Sequence, residues 1–161
     1  MFGEWLAALE ATPLAQALRA SVWVYPLVNA AHLLGVALLL GAIIPLDLRL
    51  LGLWRRQPLD PLWQVLTRTA ATGLCLAVIF GTLLFSAKAT EYAVSGFFVA
   101  KMVVVALAVA NALALRLVGG GGRNLVMAAA ASPPAHVRLA AGLSIAAWLT
   151  ALTLGRLVGY F

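Results

Sequence analysis

The chain has 161 residues, of which 64% are apolar and only 10% are charged. A soluble domain of this size needs more charge to cover its surface, so the composition excludes that class and indicates an integral membrane protein. The net charge of +6 is spread over short segments between apolar runs, and we therefore expect a lipid bilayer, and no nucleic acid, as its partner. Because Cys75 is the only cysteine, an internal disulfide and a cysteine-rich metal centre are also excluded.

The N-terminal segment, residues 4–19, predicts a helix that lies in the membrane interface. Within it, Thr12 suits an N-cap and Pro13 suits the first helical turn. The opening stretch, MFGEWLAALE, is acidic and lacks the basic start of a secretory signal. We therefore expect this first helix to be retained.

Four apolar runs follow, and each is long enough for a helix that crosses a bilayer, which takes roughly 20 residues. Two pairs, Asp60–Pro61 and Ser132–Pro133, repeat the cap-plus-proline signal, and the glycines at 119–122 end the third run. Backbone polar groups in lipid must be satisfied within the chain, so the runs predict helices. The expected fold is a single all-α membrane domain over residues 1–161, a four-helix bundle with an N-terminal interfacial helix. Its spans cover about 21–46, 69–87, 96–118 and 137–160.

The basic residues set the expected orientation of the bundle. More of them lie around the first and third connections than on the opposite side, and basic residues accumulate in the cytoplasm. The sequence therefore predicts a multi-pass protein of the bacterial inner membrane with both termini in the periplasm. The cytoplasmic group comprises Arg49, Arg55, Arg56, Arg68, Arg116, Arg123 and Arg138, and the opposite group comprises Arg19, Lys88, Lys101 and Arg156.

Polar residues recur at helical spacing along one side of the predicted spans. Each polar group in lipid costs free energy unless it is paired or has a function, so we expect these stripes to point into the bundle. The stripes include Tyr25, Asn29, His32 and Asp47 on the first span, Lys101 and Asn111 on the third, and Ser144 and Trp148 on the fourth.

His32, close to the middle of the first span, admits two interpretations. It can be a neutral imidazole hydrogen-bonded to Asn29 or to a hydroxyl group on a neighbouring helix. It can also be the axial ligand of a haem or another metal, since neutral imidazole is the commonest such ligand. His136 lies about ten residues, or roughly 15 Å, away in depth and is expected at the membrane interface.

Charged residues within or beside the spans are further candidates for the site. Lys101 lies about one turn inside the third span, where it can extend to water, pair with a haem propionate, or ligate a metal as a neutral amine. Arg156, within about a turn of the lipid, can hold an anion. Asp47 is expected to pair with Arg49 or Arg68 at the cytoplasmic rim.

Three stretches of the chain carry a resemblance: SVWVYPLVNAAHLLGVALLLGAIIPLDLRLLGL, GTLLFSAKATEYAVSGFFVAKMVVVALAVANAL and AAWLTALTLGRLVGYF. Together they resemble an uncharacterised bacterial four-helix membrane family, a domain of unknown function. More distantly, the first-helix histidine and the F-x-x-K that opens the third helix are similar to copper-resistance D-type membrane proteins and to the haem-containing protoporphyrinogen oxidase. The latter resemblance implies b-type haem with His32 and Lys101 as the functional pair. The chain departs from that pattern in having Asn111 where a further histidine is expected.

Three functions therefore remain open. The first is a b-type haem protein that transfers electrons to or from quinone or a partner redox subunit, with His32 as metal ligand. Its cofactor-binding residues would be drawn from Tyr25, Asn29, His32, Lys101, Asn111 and Arg156. The second is a structural anchor or assembly subunit of a larger membrane complex, or of a homo-oligomer. The third is transport of copper or another small solute, although three scattered methionines form no thioether path for Cu(I).

Overall fold

The computed structural model describes residues 2–118, 126–127, 129 and 132–160, and the predicted glycine break at 119–122 lies outside this range. All regular secondary structure among the described residues is helical. The helices with described bounds are α1 (Phe2–Glu10), α2 (Pro13–Ala20), α3 (Val24–Leu51), α4 (Leu59–Ala87), α5 (Ala89–Val94), α6 (Gly96–Val118) and α7 (Ala135–Leu157).

Four helices, α3, α4, α6 and α7, are long and apolar enough to cross a membrane, which confirms the predicted all-α, multi-pass bundle. The predicted bounds hold within three residues for α6 and α7. By contrast, α3 continues to Leu51 and α4 begins at Leu59, so both reach beyond the predicted spans toward their connection. The extra turns are helical because Leu46, Leu50 and Leu59 are buried together in a core cluster there.

The N-terminal segment forms two helices, α1 and α2, where one was predicted. Thr12 adopts an extended conformation, as expected for a residue before proline, and its hydroxyl oxygen accepts a hydrogen bond of 3.3 Å from the Ala15 amide. The Thr12–Pro13 prediction of a cap is confirmed, and the same pair ends α1. The corresponding prediction for Asp60 is wrong, because Pro58 is the N-cap of α4 and Asp60 lies in the first turn.

Glycines allow α3 and α4 to approach until their backbones touch. A Cβ atom added to Gly35 would lie 2.6 Å from the Ala77 nitrogen, and one added to Gly73 would lie 2.5 Å from the Leu39 nitrogen. Such close contact between helices is typical of small residues at spacing four in membranes. These glycine contacts make α3 and α4 the most closely packed pair of helices in the bundle.

One end of the bundle is covered by α1, α2 and α5, and we call it the outer end; the other is the inner end. The cover is attached by side chains that bond to backbone groups. Arg19 donates to the Ala87 carbonyl oxygen at 2.8 Å, and the Glu10 carboxylate accepts from the amide and the hydroxyl of Thr90, both at 2.7 Å. The sequence did not predict α5, which packs between α1 and the start of α6.

The four spanning helices form two pairs, α3 with α4 and α6 with α7, and the pairs meet where α3 packs against α7. Among the described residues, α4 and α6 make at most marginal contact with each other. An apolar cluster that includes Leu39, Ala42, Ala70, Ala108 and Trp148 fills the middle of the bundle. The bundle interior is consequently closed on the α3–α7 side and less tightly closed between α4 and α6.

Candidate functional site

The imidazole of His32 is held against α4 near the outer half of the bundle. Its Nδ1 atom lies 2.8 Å from the Ala77 carbonyl oxygen, and a Cβ atom at Gly81 would come within 3.1 Å of the ring. A carbonyl oxygen only accepts, so Nδ1 donates, and in the neutral ring Nε2 carries the lone pair. A helical carbonyl can take this second hydrogen bond because its oxygen has two lone pairs.

The predicted hydrogen-bond partners of His32 were wrong. Its partner is a backbone carbonyl, and neither Asn29 nor a neighbouring hydroxyl takes that place. Asn29 is exposed on the outside of α3. The buried stripe of α3 runs through Gly35, Leu39, Ala42 and Leu46, and Asn29 lies roughly 110° around the helix from the centre of that stripe.

Tyr25 is half-buried at the outer end of α3, and its phenol hydrogen-bonds to Tyr92 of α5. Tyr92 in turn stacks with Phe85 and Phe98, at centroid distances of 6.3 and 5.4 Å. Burial, together with the hydrogen bond that the Tyr92 hydroxyl donates to Tyr25, raises the pKa of Tyr92 to about 12. Tyr25 therefore belongs to an aromatic cover over the outer end of the bundle and not to the immediate surroundings of His32.

Lys101 reaches into the bundle from α6 and is half-buried. A Cβ atom added to Gly155 of α7 would lie 3.3 Å from Nζ and 3.4 Å from Cε, so the lysine side chain lies along that glycine. Its charge is close enough to act on the imidazole of His32. Of the predicted site residues, Lys101 is thus the one whose charge acts on His32, and the absence of side chains at Gly81 and Gly155 leaves space for the imidazole and the lysine respectively.

The remaining predicted site residues lie elsewhere. Arg156 is exposed at the end of α7, where its guanidinium donates to the Tyr160 hydroxyl and lies over the Tyr160 ring at 4.6 Å from the centroid. Asn111 donates to the Ala140 carbonyl oxygen at 2.9 Å, about ten residues or roughly 15 Å further inward than Lys101. His136 is exposed at the start of α7.

A cavity of about 200 Å³ lies between α3, α4, α6 and α7 in the inner half of the bundle. Its walls are mostly apolar, with a few polar groups: Asp47, Thr67, Asn111, Arg116, Ser144 and the indole of Trp148. A mostly apolar cleft with a few convergent polar groups is the usual form of a small-molecule site.

The expected ion pairs of Asp47 are absent from the described residues. Arg49 is buried and donates to the carbonyl oxygens of Gln57 and Arg55, at 3.1 and 3.3 Å, and Arg68 is exposed. Residues two apart on a helix point in different directions, so Arg49 faces away from Asp47. The side-chain partner of Asp47 is the hydroxyl of Ser144 on α7.

These four long apolar helices define a multi-pass membrane protein of the four-helix class. Comparison of the chain with family models, with curated proteins and with solved structures found no match. Within the part of the chain that the structure describes, no group of three or more His, Cys, Asp or Glu side chains converges on one point. The candidates for function are therefore the His32–Lys101 pair and the inner cavity.

Proposed function

We propose that the chain is a b-type haem protein of the bacterial inner membrane that transfers electrons, with Nε2 of His32 as the iron ligand. The observation that carries this proposal is the hydrogen bond of 2.8 Å from Nδ1 of His32 to the Ala77 carbonyl oxygen. Histidines that ligate metals almost always donate their other ring N–H in this way, which fixes the tautomer and the orientation of the ring.

The surroundings of His32 support the proposal. Lys101 supplies a positive charge near the imidazole, and a haem carries propionates that such a charge can bind. Gly81 and Gly155 leave room for the two side chains inside the bundle, where a Cβ atom would crowd them. The donor set, one oriented neutral imidazole and one lysine, fits a haem better than a metal ion held by protein ligands alone.

Haem would supply a reversible one-electron carrier, and the chain would supply its ligand, its orientation and a medium of low polarity. The proposed orientation places both termini in the periplasm, because basic residues are more numerous around the first and third connections. The proposed electron donor or acceptor is quinone in the bilayer or a partner redox subunit.

An optical spectrum of the protein, purified after expression in a haem-sufficient host, tests the proposal. The wild-type chain is expected to show a Soret band with about one haem per chain. His32→Ala should lose the band, whereas His136→Ala, which alters an exposed histidine, should keep it. Added imidazole should restore the band in His32→Gly, because it can occupy the position of the missing ring.

Lys101→Met separates two roles for the lysine. Loss of a propionate partner should weaken haem retention and leave the band position unchanged, whereas loss of an axial ligand should shift the band. A wild-type protein without a Soret band, from cells that load a control haem protein, would refute the proposal. His32 would then serve as a hydrogen-bonded contact between α3 and α4, in keeping with a structural subunit.

A further inference from the structure

Two side chains that line the inner cavity each carry a buried polar atom without a hydrogen-bond partner among the described residues. One is Oδ2 of Asp47 and the other is Nε1 of Trp148. Asp47 is 6% exposed and Trp148 is 5% exposed, and both line the cavity of about 200 Å³. A buried polar atom without a partner is costly, so both atoms call for a ligand group that completes their hydrogen bonds.

The two atoms have opposite requirements. The Asp47 carboxylate accepts hydrogen bonds, whereas the indole N–H of Trp148 only donates. A bare cation would suit Asp47 and not Trp148 or Arg116, and an anion would suit Trp148 and not Asp47. A hydroxyl group satisfies both, because its hydrogen can be donated to Asp47 while its oxygen accepts from Trp148.

The apolar walls of the cavity indicate which kind of molecule bears this hydroxyl group. Its walls are formed largely by leucines, Ile43, Val109 and the ring of Trp63. A dry apolar cavity of ~150 Å³ in another protein binds benzene, so a cavity of this size accommodates one substituted ring. The marginal contact between α4 and α6 gives such a molecule a route from the bilayer.

We propose that this cavity binds a phenol, a single aromatic ring whose hydroxyl donates to Asp47 and accepts from Trp148. Ser144 and Asn111 hold the polar end of the cavity in place, through the Asp47 carboxyl and the Ala140 carbonyl oxygen respectively. Hydroquinones are the members of this class that would connect the cavity with electron transfer, and only that connection rests on the proposed function.

Binding of 4-propylphenol to the detergent-purified chain, measured by isothermal titration calorimetry, tests the site. The matched ligand is 4-propylanisole, in which a methyl group replaces the hydroxyl hydrogen and removes the donor. The phenol should bind about tenfold more tightly than the ether, since the ether cannot donate a hydrogen bond and leaves the buried Asp47 oxygen without a partner. Equal binding of the two compounds, or binding of neither, would overturn the proposal.

Two variants test whether the preference for the phenol over the ether depends on the side chains of Asp47 and Trp148. Asp47→Asn replaces one accepting carboxyl oxygen by a donating NH2 group and Trp148→Phe removes the N–H, and each should reduce phenol binding about tenfold while changing ether binding little. Asp60→Asn and Trp23→Phe alter an exposed carboxylate and an exposed indole, and should bind like the wild type. Phenol binding that persists unchanged in both cavity variants would also overturn the proposal.

The wild-type comparison of phenol with ether decides the matter even if a cavity variant does not fold. The titration requires no haem and the Soret spectrum requires no phenol. A negative result for the phenol site therefore does not refute the haem proposal, and the reverse also holds. Phenol selectivity in a chain without a Soret band would retain this site and remove the proposed electron-transfer function.

Discussion

The contact between Gly73 and the backbone of α3 offers a sharp test of how the bundle is held together. In Gly73→Ala the new Cβ atom would lie 2.5 Å from the Leu39 nitrogen and 2.7 Å from the Gly35 oxygen. Non-bonded heavy atoms prefer separations of about 3.5 Å. Because both neighbours are backbone atoms that cannot rotate away, α3 and α4 must separate by about 1 Å.

Three contributions determine how much Gly73→Ala changes the free energy of unfolding. Overpacking of this kind costs about 1–3 kcal/mol. The hydrogen bond between His32 and Ala77, now 2.8 Å, would lengthen beyond the usual range, at a further cost of about 1 kcal/mol. Alanine is favoured over glycine within a helix by about 1 kcal/mol, which offsets part of the loss. We therefore expect Gly73→Ala to destabilise the chain by about 2 kcal/mol.

The measurement is the free energy of unfolding in mixed micelles, followed by circular dichroism as the fraction of SDS is raised. Gly41→Ala is the matched control, because a Cβ atom there would meet nothing within 4 Å. It should leave stability unchanged or raise it by up to about 1 kcal/mol. If Gly73→Ala proved as stable as Gly41→Ala, the backbone contact would not be what holds α3 and α4 together.

Three further predictions concern the cover and the lipid-facing surface. Hydrogen bonds from Thr90 hold the pKa of Glu10 below its ordinary value, so the contact stabilises the folded state above that value and is lost as the pH falls through the lowered pKa. Acid should therefore lower the protection factor of the Thr90 amide, which is its exchange rate compared with the intrinsic rate at the same pH, and Glu10→Gln should abolish this pH dependence. Because burial and the hydrogen bond that Tyr92 donates to Tyr25 raise the pKa of Tyr92 to about 12, an alkaline ultraviolet titration should show one tyrosine that ionises late and is missing in Tyr92→Phe. Cys75, exposed midway along α4, should resist a charged maleimide in intact vesicles and react after unfolding in SDS, as mass spectrometry can show.

The sequence predicts the spanning helices well because lipid imposes one dominant requirement, a long apolar run with its backbone bonded internally. It also singles out His32 and Lys101 as candidates for the site, although only the folded chain reveals that the imidazole bonds to the Ala77 carbonyl oxygen. A backbone acceptor has no signature in the sequence. Gly81 was the available signal, because its spacing from Gly73 marks the face of α4 that α3 approaches.

The inner site escaped prediction for a different reason. Asp47 has arginine neighbours in the sequence, and charge alone suggests an ion pair with one of them. Arg49 does not form this ion pair, because its side chain points to a different side of α3 from Asp47. Its guanidinium instead donates to carbonyl oxygens of the α3–α4 connection. The meeting of Asp47 with Ser144 and Trp148 depends on how α3 crosses α7, which hydropathy and spacing within one helix do not specify.

The two candidate sites lie at different depths, and the apolar layer between them bears on what each can do. His32 and Asp47 are 15 residues apart on α3, or about 22 Å along the helix axis. Leu39, Ala42 and Ala108 occupy the intervening interior and offer no polar group to a proton or an ion. Electrons can cross such a layer without polar steps, whereas protons and ions require a chain of hydrogen-bonding or coordinating groups. A proton or an ion that moved between the two candidate sites would therefore need groups other than these three side chains.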